Sequence, residues 1–223
     1  MLNNLLRSRP DIATALSYAA TKSVSPTSND YDNLLDIVRY LWRTKHVGLF
    51  IHPGDIDEPL HLKCYVDASF LAHDDSRGHS GYCLALLGEL SSFYSKSGKQ
   101  QLVATSSTHA EVKALYQLTV DILYIINLSD EIQRPISLPA IIMEDNNPTV
   151  QLSGSLSSRI KRSKHFLMLI NFIRHQVAMG LIEVHKVATE ENIADVLTKA
   201  LPWRDFAPKA ARLLGIPEDE FLQ

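Results

Sequence analysis

The chain has 223 residues, 45% of them hydrophobic and 21% charged, which suits one large globular domain, or a domain with an appendage, and excludes a disordered or fibrous chain. A formal net charge of −3 excludes a globally basic nucleic-acid binder, so any such binding rests on local patches. No uninterrupted apolar run reaches the roughly 18 residues that span a bilayer, and MLNNLLRSRPD lacks the apolar core of a signal peptide, so the chain reads as soluble and intracellular with no membrane partner.

The first elements read as helical. DIATALSYAATKSV at 11–24 predicts a helix started by Pro10 and Asp11, and SPTSND at 25–30 a turn. Tyr31, Leu34, Leu35, Val38, Leu41 and Trp42 recur at helical spacing and predict a second helix that stops by Gly48. HPGDIDEP at 52–59 has the Pro, Gly and Asp of a connector, so the domain boundary is placed there. Two helices bury little alone, so this appendage is expected to pack on the main domain or on material outside the chain.

From residue 60 the period becomes strand-like. HLKCYVD, GYCLALL at 81–87 and LSSFYS at 90–95 predict a meander, with Gly88-Glu89 as a hairpin turn. Cys64 and Cys83 lie in these apolar runs and read as buried thiols rather than a disulfide. A long helix is predicted from Ser107 to about Gln133, with Leu115, Leu118, Ile122 and Ile125 as its buried stripe. SLPAIIME at 137–144 predicts a fourth strand. Asn147-Pro148 starts a brief helix, FLMLINFIRHQVA a longer one, and LIEVHKV at 181–187 is a fifth strand. IADVLTKAL reads as a helix ended by Pro202, and a last helix spans 205–214. The order predicts an α/β protein: a five-stranded mixed sheet flanked by helices, with an N-terminal two-helix appendage and the first, fourth and fifth strands parallel. Its divisions are 1–58, 59–203 and a C-terminal helix and tail at 204–223.

Four acids fall where such a fold could bring them together. Asp67 and Asp145 end the first and fourth strands, and neighbouring strand ends form the crevice of an open α/β sheet. Glu111 is early on the inward stripe of the long helix, and Asp195 is early in the helix after the fifth strand. Four carboxylates in one crevice repel unless cations neutralise them. Hard oxygen ligands suit Mg²⁺ or Mn²⁺, and two such ions clamp an in-line phosphoryl displacement. Each acid also has an ordinary reading: a strand terminus for Asp67, a capping box with Thr108 for Glu111, a turn for Asp145 and a helix-start carboxylate for Asp195.

The flanking residues carry a resemblance. YVDAS, HSGYCLALLGELSSFYSKSGKQ, VATSSTHAEVKAL, MEDNNPTV, RSKHF, INFIRH and NIADVLTKALP resemble, in that order, the ribonuclease H domain of Ty1/copia-type LTR retrotransposon Pol polyproteins over about residues 60–203. Upstream, RPDIATALSYAATKSVSPT and YDNLLDIVRYLWRTKHVGLF resemble the thumb or connection segment that ends the reverse transcriptase in those polyproteins. The resemblance implies a ribonuclease H-like fold and a metal-dependent endonuclease that cuts the RNA strand of RNA–DNA hybrids during reverse transcription. Asp67, Glu111, Asp145 and Asp195 would be the catalytic and metal-binding acids, holding two Mg²⁺ ions that Mn²⁺ could replace. It implies as partners an RNA–DNA hybrid and the reverse transcriptase portion of the same polyprotein, and as location the cytoplasm, in virus-like particles. The chain departs from the family pattern in three places. Val112 stands where an aromatic residue usually follows the Glu, and Glu144 where a Cys often precedes the Asp. Glu144 is expected to point to the other face of its strand and not to be a ligand. The family's relatives carry a loop histidine before the last acid, but here His185 is the only candidate and reads as a strand residue.

A hybrid-cutting nuclease must also hold phosphates and sense 2′-hydroxyls. Arg159, Lys161, Arg162 and Lys164 form the one dense basic run and could grip the backbone, beside His165. Ser69, Ser80 and Asn146 flank the acids and could bond the ribose, and Lys96, Lys99 and Gln101 could touch the other strand. Each is equally an ordinary loop or turn residue. YVDA lacks the second Asp of a polymerase YxDD box, so the chain is not expected to polymerise DNA. The rival readings are a catalytically silent relic that only binds nucleic acid or serves assembly, and an integrase-like strand transferase of the same superfold, which the fourth acid and NIADVLTK disfavour.

Overall fold

Five strands, β1 (Leu60–Ser69), β2 (His79–Leu86), β3 (Tyr94–Lys99), β4 (Ile136–Glu144) and β5 (Ile182–Lys186), form one sheet in the order β3-β2-β1-β4-β5. The first three make an antiparallel meander, while β1 with β4 and β4 with β5 pair in parallel. This is the mixed sheet with flanking helices expected of a ribonuclease H-like fold. The computed structural model describes residues 2–51, 59–86, 91–154 and 164–221.

Among the described residues, seven α-helices accompany it: α1 (Ala13–Thr21), α2 (Ser28–Arg43), α3 (Ser107–Glu131), α4 (Asn147–Gly154), α5 (Lys164–Ala178), α6 (Trp203–Leu214) and α7 (Glu218–Phe221). On one face of the sheet the stripe Leu115, Leu118 and Ile122 of α3 packs, fully buried, with Val66, Leu84 and Ile142 and with Ile170 and Ile173 of α5. Tyr65 and Cys83 face the other way and pack with Ile193, Val196, Leu197 and Leu213. Alternation along β1 thus feeds two cores, as period two requires of a strand covered on both sides. Cys64 and Cys83 are buried and unbridged. Among the described residues, no helix is long and apolar enough to cross a membrane.

Three elements differ from the expectations. β3 runs over Tyr94–Lys99 rather than 90–95: Ser92 N–H donates to Leu213 O at the end of α6 (3.1 Å), and the bonds to β2 begin with Phe93 N–H donating to Leu84 O (3.0 Å). An edge strand needs little apolar surface, so the polar YSKSGK gave no periodic signal, and Lys96 and Lys99 lie inside the strand rather than after it. The segment IADVL is a short 3₁₀ helix, Ile193–Leu197, not the start of an α-helix. All five of its residues are buried, so packing on every side, not an amphipathic stripe, sets its path. The first helix is split into a 3₁₀ turn, Pro10–Ile12, and α1. The connector at 52–58 and the Gly88-Glu89 turn lie outside the described residues.

The N-terminal helices pack on the sheet-bearing part. A buried pair locks their base: Arg9 donates to Asp11 through Nε (2.9 Å) and Nη2 (2.7 Å), and to Thr44 O through Nη1 (2.9 Å). The Tyr40 hydroxyl donates to the same Asp11 carboxylate. Beyond the base, Thr14 Oγ1 donates to Val196 O (2.6 Å), Phe50 N–H donates to Leu214 O (2.8 Å), and Tyr18 stacks on His73 and His79. Thr27 and Asp30 form a reciprocal capping box at the start of α2, which is why that helix begins at Ser28.

Candidate metal centre

Asp67 stands near the end of β1 and is 2% exposed. Its register partner on β2 is Gly81, and a Cβ there would lie 2.6 Å from Leu197 O. Glycine therefore lets the segment after β5 press onto the sheet beside Asp67. That approach brings the Thr198 hydroxyl to donate to Asp67 Oδ2, and the Lys199 ammonium to 3.1 Å from the same oxygen. Burial pushes the Asp67 carboxyl above the usual range, while Lys199 and Thr198 pull it back.

Asp195 lies on the 3₁₀ segment. Asn192 holds that segment at both ends of its amide: Nδ2 donates to Val66 O (2.9 Å), and Oδ1 accepts from Ala194 N–H (3.1 Å). The Asp195 carboxylate meets Lys199 at 2.6 Å on one oxygen and the buried Lys209 of α6 on the other. Burial alone would lower the Lys199 ammonium, but the two aspartates outweigh it and hold its pKa above the ordinary lysine value.

Glu111 is inside α3, not at its cap: Ser106 is the N-cap, its hydroxyl accepting from His109 N–H (3.2 Å). The capping-box reading with Thr108 therefore fails, and Glu111 is left 5% exposed with its Oε2 lacking any hydrogen-bond partner. Burial first, and then the neighbouring Glu144, push its carboxyl well above the usual range.

Glu144 has a neighbour that the sequence reading did not give it. It does point to the opposite face of β4 from Met143, as alternation demands, but that face carries Ile142 and is the one α3 covers. The turn away from Asp67 is thus a turn toward Glu111. Glu144 is 0% exposed, and burial raises its carboxyl to about 8, against the Asn146 N–H that donates to its Oε1 (2.9 Å).

The acids therefore gather as two overlapping groups. Oxygens of Asp67, Asp145 and Asp195 lie within 4.8 Å of one another, and so do those of Glu111, Glu144 and Asp145. Asp145, just past the end of β4, is common to both. Hard carboxylate oxygens, several of them buried and two unpartnered, fit a divalent cation. Lys199 had a signal in sequence, four residues after Asp195; Lys209, fourteen residues after Asp195, had none.

The other candidates are placed as follows. Ser69 is half-buried and donates to Thr198 O (3.2 Å) beside the acids. Ser80 is 4% exposed and accepts from Gln100 Nε2 (2.9 Å), which withdraws it from the surface. Asn146 Oδ1 accepts from Thr149 N–H (3.0 Å), so it caps α4. Lys164 and His165 open α5 and are exposed, whereas Arg159, Lys161 and Arg162 lie outside the described residues. Lys96 and Lys99 pair with Asp121 (3.7 Å) and Asp75 (2.7 Å). Gln101 is exposed just after β3. His185 is a strand residue, paired with Glu183 at 3.0 Å.

No family model matches the sequence. Among curated proteins, the chain is 32% identical over 201 residues to the retrovirus-related Pol polyprotein from transposon RE2 of Arabidopsis thaliana, covering 90% of this chain and 13% of that protein. The transposon RE1 polyprotein of the same plant is 32% identical over 212 residues, covering 93% and 14%. The Ty1-JR1 Gag-Pol polyprotein of Saccharomyces cerevisiae is 28% identical over 201 residues, covering 89% and 11%. The chain thus spans a small fraction of the length of the relatives it matches. Among solved structures, LC11-RNase H1 in complex with RNA/DNA hybrid is 15% identical with a TM-score of 0.44, covering 61% of this chain and 93% of that one. Across nine-tenths of its length, the chain is a homologue of the Ty1/copia Pol polyproteins.

Proposed function

We propose that this chain is a metal-dependent ribonuclease H that hydrolyses the RNA strand of RNA–DNA hybrids during retrotransposon reverse transcription. The observation that supports it most is convergence: Asp67, Glu111, Asp145 and Asp195, from four separate elements, end in two overlapping carboxylate groups with oxygens within 4.8 Å, in a homologue of Pol polyproteins. In this reading these acids are the metal ligands and catalytic residues. The chemistry a pair of Mg²⁺ or Mn²⁺ ions would supply is orientation of a water and neutralisation of charge at the leaving oxygen.

The chain's own residues divide the remaining work. Thr198 fixes the Asp67 rotamer through its hydroxyl, and Lys209 fixes Asp195. Ser69 and Asn146 lie beside the acids and are proposed to meet the ribose hydroxyls, while the basic run at 159–164 and His165 grip the backbone. Residues 59–203 would be the nuclease domain, 1–58 the end of the reverse transcriptase and 204–223 its C-terminal support. The partner would be the reverse transcriptase portion of the same polyprotein, in cytoplasmic virus-like particles.

The alternative, a silent relic that only binds nucleic acid, draws on the Lys199 ammonium lodged between Asp67 and Asp195. A cleavage assay separates the two. Purified protein with Mg²⁺ or Mn²⁺ is expected to nick the RNA of a hybrid and spare duplex DNA, and Asp67→Asn and Asp145→Asn to abolish nicking with an unchanged circular dichroism spectrum. Hybrid binding without cleavage by the wild type would overturn the enzymatic reading.

A further inference from the structure

Glu111 and Glu144 form a buried acidic pair that, among the described residues, no basic side chain contacts directly. Of the ammoniums that act on the pair, Lys199 is committed to Asp67 and Asp195, and Lys186 donates to the backbone oxygen of Asp145. Among the described residues, neither glutamate has an ion-pair partner within 4.0 Å. Each is nine-tenths buried or more, and each keeps one carboxylate oxygen, Oε2, without a hydrogen bond. Asp145 lies between them and the other aspartates, and its oxygen completes a trio within 4.8 Å. Buried carboxylates this close, with free lone pairs, suit a hard divalent cation.

We infer that Glu144 is an additional carboxylate ligand, which with Glu111 and Asp145 holds one hard divalent cation on the α3 face of the sheet. This rests on the two-cation reading of the cleft and adds a fifth acid to it. Oxygen-only ligation selects Mg²⁺, Mn²⁺ or Ca²⁺ over softer ions, and a higher count of ligand charges raises affinity. The inference makes this face of the site bind its cation more tightly than an arrangement with an uncharged residue at position 144.

The test needs no nucleic acid. Mn²⁺ binding to the full chain is measured by titration calorimetry and by electron paramagnetic resonance, for wild type, Glu144→Gln, Glu111→Gln and the double variant. Wild type is expected to bind two Mn²⁺. Each single variant is expected to lose affinity at the same one of them by about tenfold or more, and the double variant to lose more at that site while the other Mn²⁺ binds as in wild type, because both acids serve the same ion. An unchanged Glu144→Gln isotherm, or single variants that weaken different Mn²⁺ ions, would overturn the inference. Glu144→Cys provides a second readout, since a thiolate there should shift preference toward Cd²⁺ with a thiolate-to-metal absorption band; no gain in Cd²⁺ affinity counts against it. Wild type that binds Mn²⁺ but leaves hybrids intact would sink the nuclease reading and spare this one.

Discussion

The Lys199 ammonium lies 2.6 Å from Asp195 Oδ1, and the same nitrogen reaches Asp67 at 3.1 Å. A cation supplied by the chain itself thus joins two of the acids proposed to bind metal. Lys199→Met should leave two buried carboxylates short of a counter-charge. Because Lys199 is 37% exposed on its side chain, the cost falls between that of surface and buried pairs, about 2 kcal/mol in metal-free buffer. The same change should tighten Mn²⁺ binding, since no ammonium then has to be displaced. Chemical denaturation in EDTA and calorimetry read the two effects, and a variant that loses both stability and metal affinity would contradict the competition.

Glu111 presents the opposite balance. Its burial and the nearby Glu144 make its ionised form costly in the metal-free protein. Glu111→Gln keeps the shape and removes the charge, so it should stabilise the metal-free fold by about 1 kcal/mol while abolishing hybrid cleavage, a stability–function trade-off. Urea melts in EDTA beside a cleavage assay check it; a destabilised variant would mean that the charge is already compensated.

His79 sets a pH dependence away from the acids. It is fully buried, accepts or donates at His73 (3.0 Å) and Ser97 (2.8 Å), and stacks on Tyr18. Burial, and then His73, lower it from 6.5 to about 4. The unfolded chain therefore binds this proton first as pH falls. The stability is present above 6.5 and is lost toward 4, by at most about 3 kcal/mol. Melts across that window should show the loss in wild type and a flatter profile in His79→Gln. Lys99, Asp75, Asp74 and Lys22 act on His73 in the same cluster, so the comparison of variants, not the raw profile, isolates His79.

Much of this was legible in the sequence for simple reasons. The strands of the sheet interior and α3 have strong apolar periodicity, and three of the four acids, Asp67, Glu111 and Asp145, sit at strand ends or on a buried stripe. β3 was misplaced because an edge strand can be polar, and the segment around Asp195 because a 3₁₀ turn buried on all sides mimics an apolar helix start. The neighbour of Glu144 was not legible even from a correct alternation: the strand period gives the face, but only tertiary packing says what covers it. Lys209 was invisible because α6 returns to the site from outside the strand pattern.

Gly81 offers the sharpest test of how the site is built. Gly81→Ala would put a methyl group 2.6 Å from Leu197 and Thr198, so the strand and the Asp195 segment must part. Overpacking of this kind costs about 1–3 kcal/mol, and cleavage should fall with it because Thr198 leaves Asp67. Gly98→Ala on β3, where a Cβ meets nothing within 4 Å, is the control and should change neither thermal stability nor cleavage.

The bonds that shape the acid cluster join distant parts of the chain. Thr198 reaches Asp67 across 131 residues, Asn192 reaches Val66 across 126, and Thr14 reaches Val196 across 182. Closing such long loops is slow, and contacts within the meander or α3 can form far earlier. During synthesis, the sheet can begin to assemble while Asp195 and Lys209 are still inside the ribosome. A nascent chain therefore carries no complete acid cluster until the residues up to Lys209 have emerged.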